Sequence, residues 1–253
     1  MNVSTIIMLF LIGSVSTISS GSDQILAISP PEKGFFSKML MSDGIPIKAH
    51  ADCSDEAIYE AKKHIDTLLR HIPNARKNLV TAGAELHIIG TKQVTSDLPD
   101  YRELKGKPFD GKLTVDERTR GLGGLHASCG EENLLKLKSD RYFGRDICSH
   151  EFSHCLFNNG LSPDIRKQFR EQFERSLKAG LWKPAYASTN VDEFFAELTM
   201  WYFGTHGDMK TIGLDAKPGS RWFKKYDPEA FSLMDRLYKG KIPIPLVSPE
   251  TAK

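Results

Sequence analysis

His150-Glu151-Phe152-Ser153-His154 constrains this chain more than any other five residues. On an α-helix, residues four apart rise about 6 Å and sit roughly 40° apart around the axis. Two imidazoles at that spacing can close on one zinc ion. Glu151 stands one residue past the first His, where its carboxylate reaches a water on the metal without being a ligand. The motif therefore predicts a helix, read here from Arg145 to Asn158 and ended by Asn158-Asn159-Gly160.

A catalytic zinc keeps one position open and takes three protein ligands. A further His at the end of an H-E-x-x-H-x-x-G-x-x-H run is absent, because residues 160 and 161 are Gly and Leu. The next candidate is Glu193-Phe194-Phe195-Ala196-Glu197, whose two carboxylates share one helix face. One could ligate zinc while the other accepts the free N–H of a ligating His. Glu193 equally fits the third position of a helix capped by Asn190. Capping does not account for Glu197, which lies between Ala196 and Leu198 in an apolar helix. Spacing alone leaves both readings of Glu193 open.

The rest of the chain narrows the setting. Its 253 residues allow one large domain or two small ones with a sizeable core. Net charge is +2 and no Lys/Arg run is long enough for a nucleic-acid footprint, so no nucleic-acid partner is expected. Residues 1–20 carry no charged side chain; an apolar run from Ile6 to Ile12 precedes Ser14, Ser16, Ser19, Ser20 and Gly21. This reads as a signal peptide cut near Ser20 or Gly21, although it lacks Lys and Arg. The mature protein is expected to be secreted and free of the membrane.

Cys53, Cys129, Cys148 and Cys155 make an even count, which in an exported chain suggests two disulfides. Cys148 and Cys155 would lie about 10 Å apart along the motif helix, too far to bridge each other. Each would pair with Cys53 or Cys129, in either order. Both project away from the two His and are not read as ligands. G-x-S-x-G is absent, so no nucleophilic hydrolase is indicated.

Along the chain, residues 21–50 read as an extended N-terminal extension with Pro30-Pro31 and Gly44-Ile45-Pro46. A domain is expected over 51–241. Ser54-Asp55-Glu56 opens a helix with Ile58, Ala61, Ile65, Leu68 and Leu69 on its buried stripe, stopping before Pro73. Ala84–Ile89 reads as a strand, with His87 on its polar face; His126 reads as a surface residue. Residues 91–125 look loop-rich, and Glu131-Glu132 looks like a solvated turn. Further helices start at Ser162-Pro163, Asn190 and Asp227-Pro228. Residues 242–253 read as a loose tail.

The run Tyr186-Ala-Ser-Thr-Asn-Val-Asp-Glu193-Phe-Phe-Ala-Glu197, following His150-Glu-Phe-Ser-His154, resembles the catalytic domain of anthrax lethal factor and related secreted gluzincin peptidases. The resemblance is carried by residues 145–203. It implies an α+β fold of gluzincin type, with a small mixed sheet, the H-E-x-x-H helix and a later helix bearing the third ligand. It implies that His150, His154 and Glu193 ligate Zn2+, that Glu151 is the general base, that Tyr186 assists catalysis and that Glu197 supports the site. Ser153 stands where that family often has Gly, and the toxin's additional domains are lacking. The expected function is a secreted zinc-dependent endopeptidase acting on a peptide or protein substrate. The competing expectation is a secreted zinc-bearing binding protein without turnover, against which the presence of Glu151 argues.

Overall fold

The computed structural model describes residues 24–142, 144–183, 185–205 and 217–247. The signal-peptide reading of residues 1–20 lies outside them. The sheet begins with three short strands, β1 (Leu26–Glu32), β2 (Phe36–Ser42) and β3 (Ile45–Ala49), joined antiparallel through tight turns. The segment read as an extended lead-in thus supplies half of a six-stranded sheet. Pro30-Pro31 falls in β1, an edge strand, where a missing N–H costs no ladder bond.

Two helices, α1 (Asp55–Leu69) and α2 (Pro73–Ala82), carry the chain across to β4 (Glu85–Ile89), which runs parallel to β3. The Ser54 hydroxyl accepts from the Ala57 N–H and starts α1, whose buried residues include Ile58, Ala61, Ile65, Leu68 and Leu69. Pro73 opens α2, a helix that the sequence reading did not contain. Gly83 closes it at φ 79°, donating to Leu79 and Val80 carbonyls.

The loop-rich stretch holds a small hairpin, β5 (Pro108–Asp110) with β6 (Leu113–Thr114), and a single helical turn, α3 (Val115–Arg118). Strand β7 (Gly121–Leu122) then forms the second edge, antiparallel to β8 (His126–Gly130), which lies parallel to β4. The sheet order is β1-β2-β3-β4-β8-β7.

Strand alternation sorts the two faces. Leu86, Ile88, Ala127 and Cys129 turn into the main core beneath the helices. Lys48, Glu85, His87, His126 and Ser128 occupy the alternate positions of three neighbouring strands. His87 is not on an exposed polar face: it is wholly buried, with the Phe36 ring 4.5 Å away between centroids.

The helical turn α4 (Glu131–Leu134) replaces the solvated turn expected there. Glu131 and Glu132 are both buried. Glu131 accepts from the Ser54 and Thr91 N–H groups at 2.8 and 2.9 Å; Glu132 holds Arg120 through both oxygens at 2.7 and 2.8 Å. They staple loops to the sheet end.

The remaining helices are α5 (Ile147–Cys155), α6 (Pro163–Lys178), α7 (Val191–Tyr202), α8 (Ser220–Tyr226) and α9 (Pro228–Tyr238). A π-helical turn, Leu156–Gly160, extends α5. Trp182 and Trp201 are fully buried among them. Asp227 gathers this half: its carboxylate accepts from Trp182 Nε1, Ser176 Oγ and the Ala230 N–H that starts α9. The tail is not loose as far as residue 247. Asn74 and Asn78 of α2 donate to the Ile244 and Pro245 carbonyls, and Asn78 Oδ1 accepts from the Val247 N–H. Among the described residues no helix is long and apolar enough to cross a membrane.

All four cysteines are free and buried, and the two expected disulfides are not shown in the structure. Cys129 of β8 meets Cys148 of α5, sulfur to sulfur at 2.6 Å, but Cys53 and Cys155 hydrogen-bond the carbonyls of Ser54 and Leu125 instead. Burial pushes the Cys53 and Cys155 thiols up to about 12.

Candidate metal centre

The motif helix α5 starts where Asp146 caps it, its carboxylate accepting from the Ser149 N–H and from Ser149 Oγ at 2.9 and 2.6 Å. The helix packs one face on β8 and the other toward α7. That places His150 and His154 one turn apart on the side open to the cleft, with Nε2 atoms 3.3 Å from each other. Helix α7 starts at Asn190, whose side chain accepts from the Glu193 N–H. Glu193 is therefore both the third residue of a capped helix and a member of the site; the two readings of it coexist.

Glu193 divides its carboxylate. Oε1 accepts from the Tyr186 hydroxyl at 3.1 Å, while Oε2 stands 3.2 Å from His150 Nε2 and 3.5 Å from His154 Nε2. That Oε2 is buried and accepts no hydrogen bond. Two imidazole nitrogens and one bare carboxylate oxygen thus converge, all within 4.8 Å of one another. A buried carboxylate oxygen without a donor is costly, and a cation would remove that cost. The donor set, two His and one Glu, is one that zinc takes in catalytic sites.

Charge follows the same geometry. Burial opposes ionisation of Glu193, but the His150 and His154 rings beside it outweigh that and hold it below the carboxylate range. Burial also opposes a charged His150, yet Glu193, Glu151 and Glu197 together raise it. Burial raises Glu151, offset only in part by the two His, so its carboxyl has a stronger hold on a proton than an exposed Glu. Tyr186 is pushed up to about 12, first by burial and then by Glu193, and so presents a neutral O–H.

Behind these three donors, Glu197 is 2% exposed and pairs with Arg145 Nη2 at 2.7 Å. The same oxygen lies 3.4 Å from His150 Nδ1. It occupies the position from which a carboxylate orients a ligating His. Farther back, His64 bridges to Asp146 at 3.0 Å and to Ser149 Oγ at 3.1 Å, fixing the first turn of α5 from below.

The site lies in a cleft of ≈ 710 Å³ lined by Arg118, Gly123, Tyr142, Glu151, Tyr186 and others. Its roof is the edge strand β7 and the residues after it. Gly121 and Gly123 let that edge approach α5. A Cβ on Gly123 would sit 2.6 Å from His154 Cβ, and one on Gly121 would sit 3.1 Å from Glu151 Cγ and 2.7 Å from the Ser128 carbonyl oxygen.

His150, Glu151, His154, Tyr186, Glu193 and Glu197 are thereby all brought to one place. Sequence reading missed Arg145, Asp146, His64 and the two close-approach glycines. Asp146 had a readable signal, an N-cap residue three before Ser149. His64 and Arg145 had none, because their partners lie far along the chain.

No family model matches the chain and no curated protein matches it. Among solved structures, it is similar to the Pro-Pro endopeptidase of Paenibacillus alvei, with a TM-score of 0.52 and 16% identity. The match covers 73% of this chain and 92% of that one. At such identity the likeness is one of fold.

Proposed function

We propose that this chain is a secreted zinc-dependent endopeptidase of the gluzincin type. The observation that carries the reading is the bare Glu193 Oε2, buried beside His150 Nε2 and His154 Nε2. His150, His154 and Glu193 would hold Zn2+. When bound, zinc supplies Lewis acidity toward water and toward a carbonyl oxygen.

The chain's own groups then have defined tasks. Glu151 stands beside the ligands with a raised affinity for protons, suited to take a proton from the attacking water and pass it to the departing amine. Tyr186 keeps its proton and faces the cleft, so its O–H can donate to the oxygen that gains charge as the carbonyl is attacked. Glu197, braced by Arg145, orients His150. The leader-like residues 1–20 support export of the chain. The fold neighbour's Pro-Pro endopeptidase activity makes proline-containing peptides the first substrates to examine.

Two measurements test this. The purified protein, loaded with Zn2+ and offered a peptide library that includes Pro-Pro sequences, should cleave a subset and stop when a chelator is added. Glu151→Gln should keep zinc in the His150/His154/Glu193 site and lose cleavage. Unchanged peptidase activity in Glu151→Gln would sink the mechanism; unchanged zinc affinity at that site in His150→Ala/His154→Ala would sink the centre itself.

A further inference from the structure

On the opposite face of the sheet from α5, a second group of titratable side chains meets under the loop of residues 90–104. Glu85 and His126 are register partners on β4 and β8, and His87 follows two residues along β4. Donor atoms of Glu85, His87 and His126 lie within 4.8 Å of one another. Asp100, from the loop, adds Oδ2 at 3.1 Å from His126 Nδ1 and 3.3 Å from His87 Nδ1.

The imidazole of His87 is the informative member. Its side chain is 0% exposed and lies between two carboxylates. Nε2 meets Glu85 Oε2 at 2.8 Å, whereas the buried Nδ1 makes no hydrogen bond. A neutral ring carries one N–H. With that proton given to Glu85, the Nδ1 lone pair faces the Asp100 oxygen, an arrangement that a cation between them would turn from repulsive to attractive.

Both carboxylates are held from the far side. Lys48 takes Glu85 Oε1 at 2.7 Å and Glu32 at 2.8 Å, and Lys33 takes Asp100 Oδ1 at 3.0 Å. Each lysine leaves the other oxygen of its carboxylate aimed at the imidazoles. Three carboxylates against two lysines leave the cluster with a negative excess. The structure assigns to Glu85, His87 and His126, with Asp100 beside the two imidazoles, a second site for one divalent transition-metal ion of the zinc class. Imidazole nitrogen with carboxylate oxygen is a donor set that suits zinc and its neighbours in the first transition row. A metal there would tie the 90–104 loop to β4 and β8.

The test uses the full chain and counts metal by equilibrium dialysis against Zn2+, with Co2+ absorption as a second readout. Wild type should bind two equivalents, His150→Ala/His154→Ala one, and His126→Asn one. His126 is partly exposed, so this substitution spares the core. Adding His126→Asn to the His150→Ala/His154→Ala background should weaken the remaining site at least tenfold. The assignment is overturned if His150→Ala/His154→Ala binds no metal while folded, or if His126→Asn leaves the wild-type stoichiometry at its original value. Both failures are independent of peptide cleavage, which reports on the α5–α7 centre.

Discussion

Glu197 shows what single side chains contribute to this centre. It is buried, ionically paired to Arg145, and set against the rear nitrogen of His150. Replacing an orienting carboxylate typically weakens metal binding by about 10–100-fold. Glu197→Gln is therefore expected to lower zinc affinity by roughly that factor, read by competition with a chelator. Tyr186→Phe acts on a different quantity. It leaves the three candidate ligands intact and removes one O–H, so zinc content should stay constant while turnover falls about 10²–10³-fold. An equal loss of zinc in Tyr186→Phe would show that its bond to Glu193 matters more than its donation to substrate. At this scale the sequence was most readable where partners sit within one helical turn, as His150, Glu151 and His154 do. Arg145 was unreadable because Glu197 lies 52 residues on. His126 and His87 looked like ordinary histidines because strand pairing, and not local spacing, brings them together.

Elements set how closely these residues can approach. Strand β7 reaches the motif helix only through Gly121 and Gly123, where a side chain would meet Glu151, Ser128 or His154. Gly123→Ala should force His154 or the edge strand to shift. The cost is about 1–3 kcal/mol, divided between thermal stability and zinc affinity, and calorimetry of the metal-free and zinc-loaded protein separates the two. Asp227 has a similar standing in the helical half. Asp227→Ala removes the cap of α9 and strips Trp182 Nε1 and Ser176 Oγ of their buried acceptor. A cap and a buried acceptor together amount to about 2–4 kcal/mol, checked by denaturant unfolding. Helices with a capping residue and an apolar stripe were legible: α1, α6, α7 and α9 begin where Ser54, Ser162, Asn190 and Asp227 announce them. The short strands β1–β3 were not, because Pro and Gly in residues 22–50 mask a meander whose pairing depends on the rest of the sheet.

For the molecule as a whole, the His64–Asp146 pair links stability to pH. Burial alone would lower His64, but Asp146 raises it to about 9 from an unfolded value of 6.5. A group raised on folding contributes fully below its unfolded pKa and loses that contribution as pH rises through the folded one. Asp146 is lowered in spite of burial, by His64 and Ser149, so its share is lost as pH falls below the ordinary Asp range. The metal-free protein should therefore lose stability between about pH 6.5 and 9 by on the order of 3 kcal/mol. His64→Gln should flatten that slope, as measured by thermal unfolding across the range. An unaltered slope would assign it to other groups. The α+β class with a mixed sheet was expected from the family resemblance the sequence carries, whereas the strand order was not. Parallel neighbours such as β3 and β4, separated by α1 and α2, leave no local trace of their register.

That long-range pairing has a kinetic side. The sheet joins residues 47 and 86, then 88 and 129, and the candidate metal ligands arrive on helices that begin at Ile147 and Val191. Non-local contacts form slowly because loop closure precedes their reward. A nascent chain that has delivered α5 but not α7 lacks Glu193 and holds two of the three candidate donors of the α5–α7 centre. In a stopped-flow refolding experiment, zinc uptake by the His126→Asn protein should consequently lag behind the recovery of helical signal. Metal capture at α5 and α7 would then act as a clock for the last third of the chain.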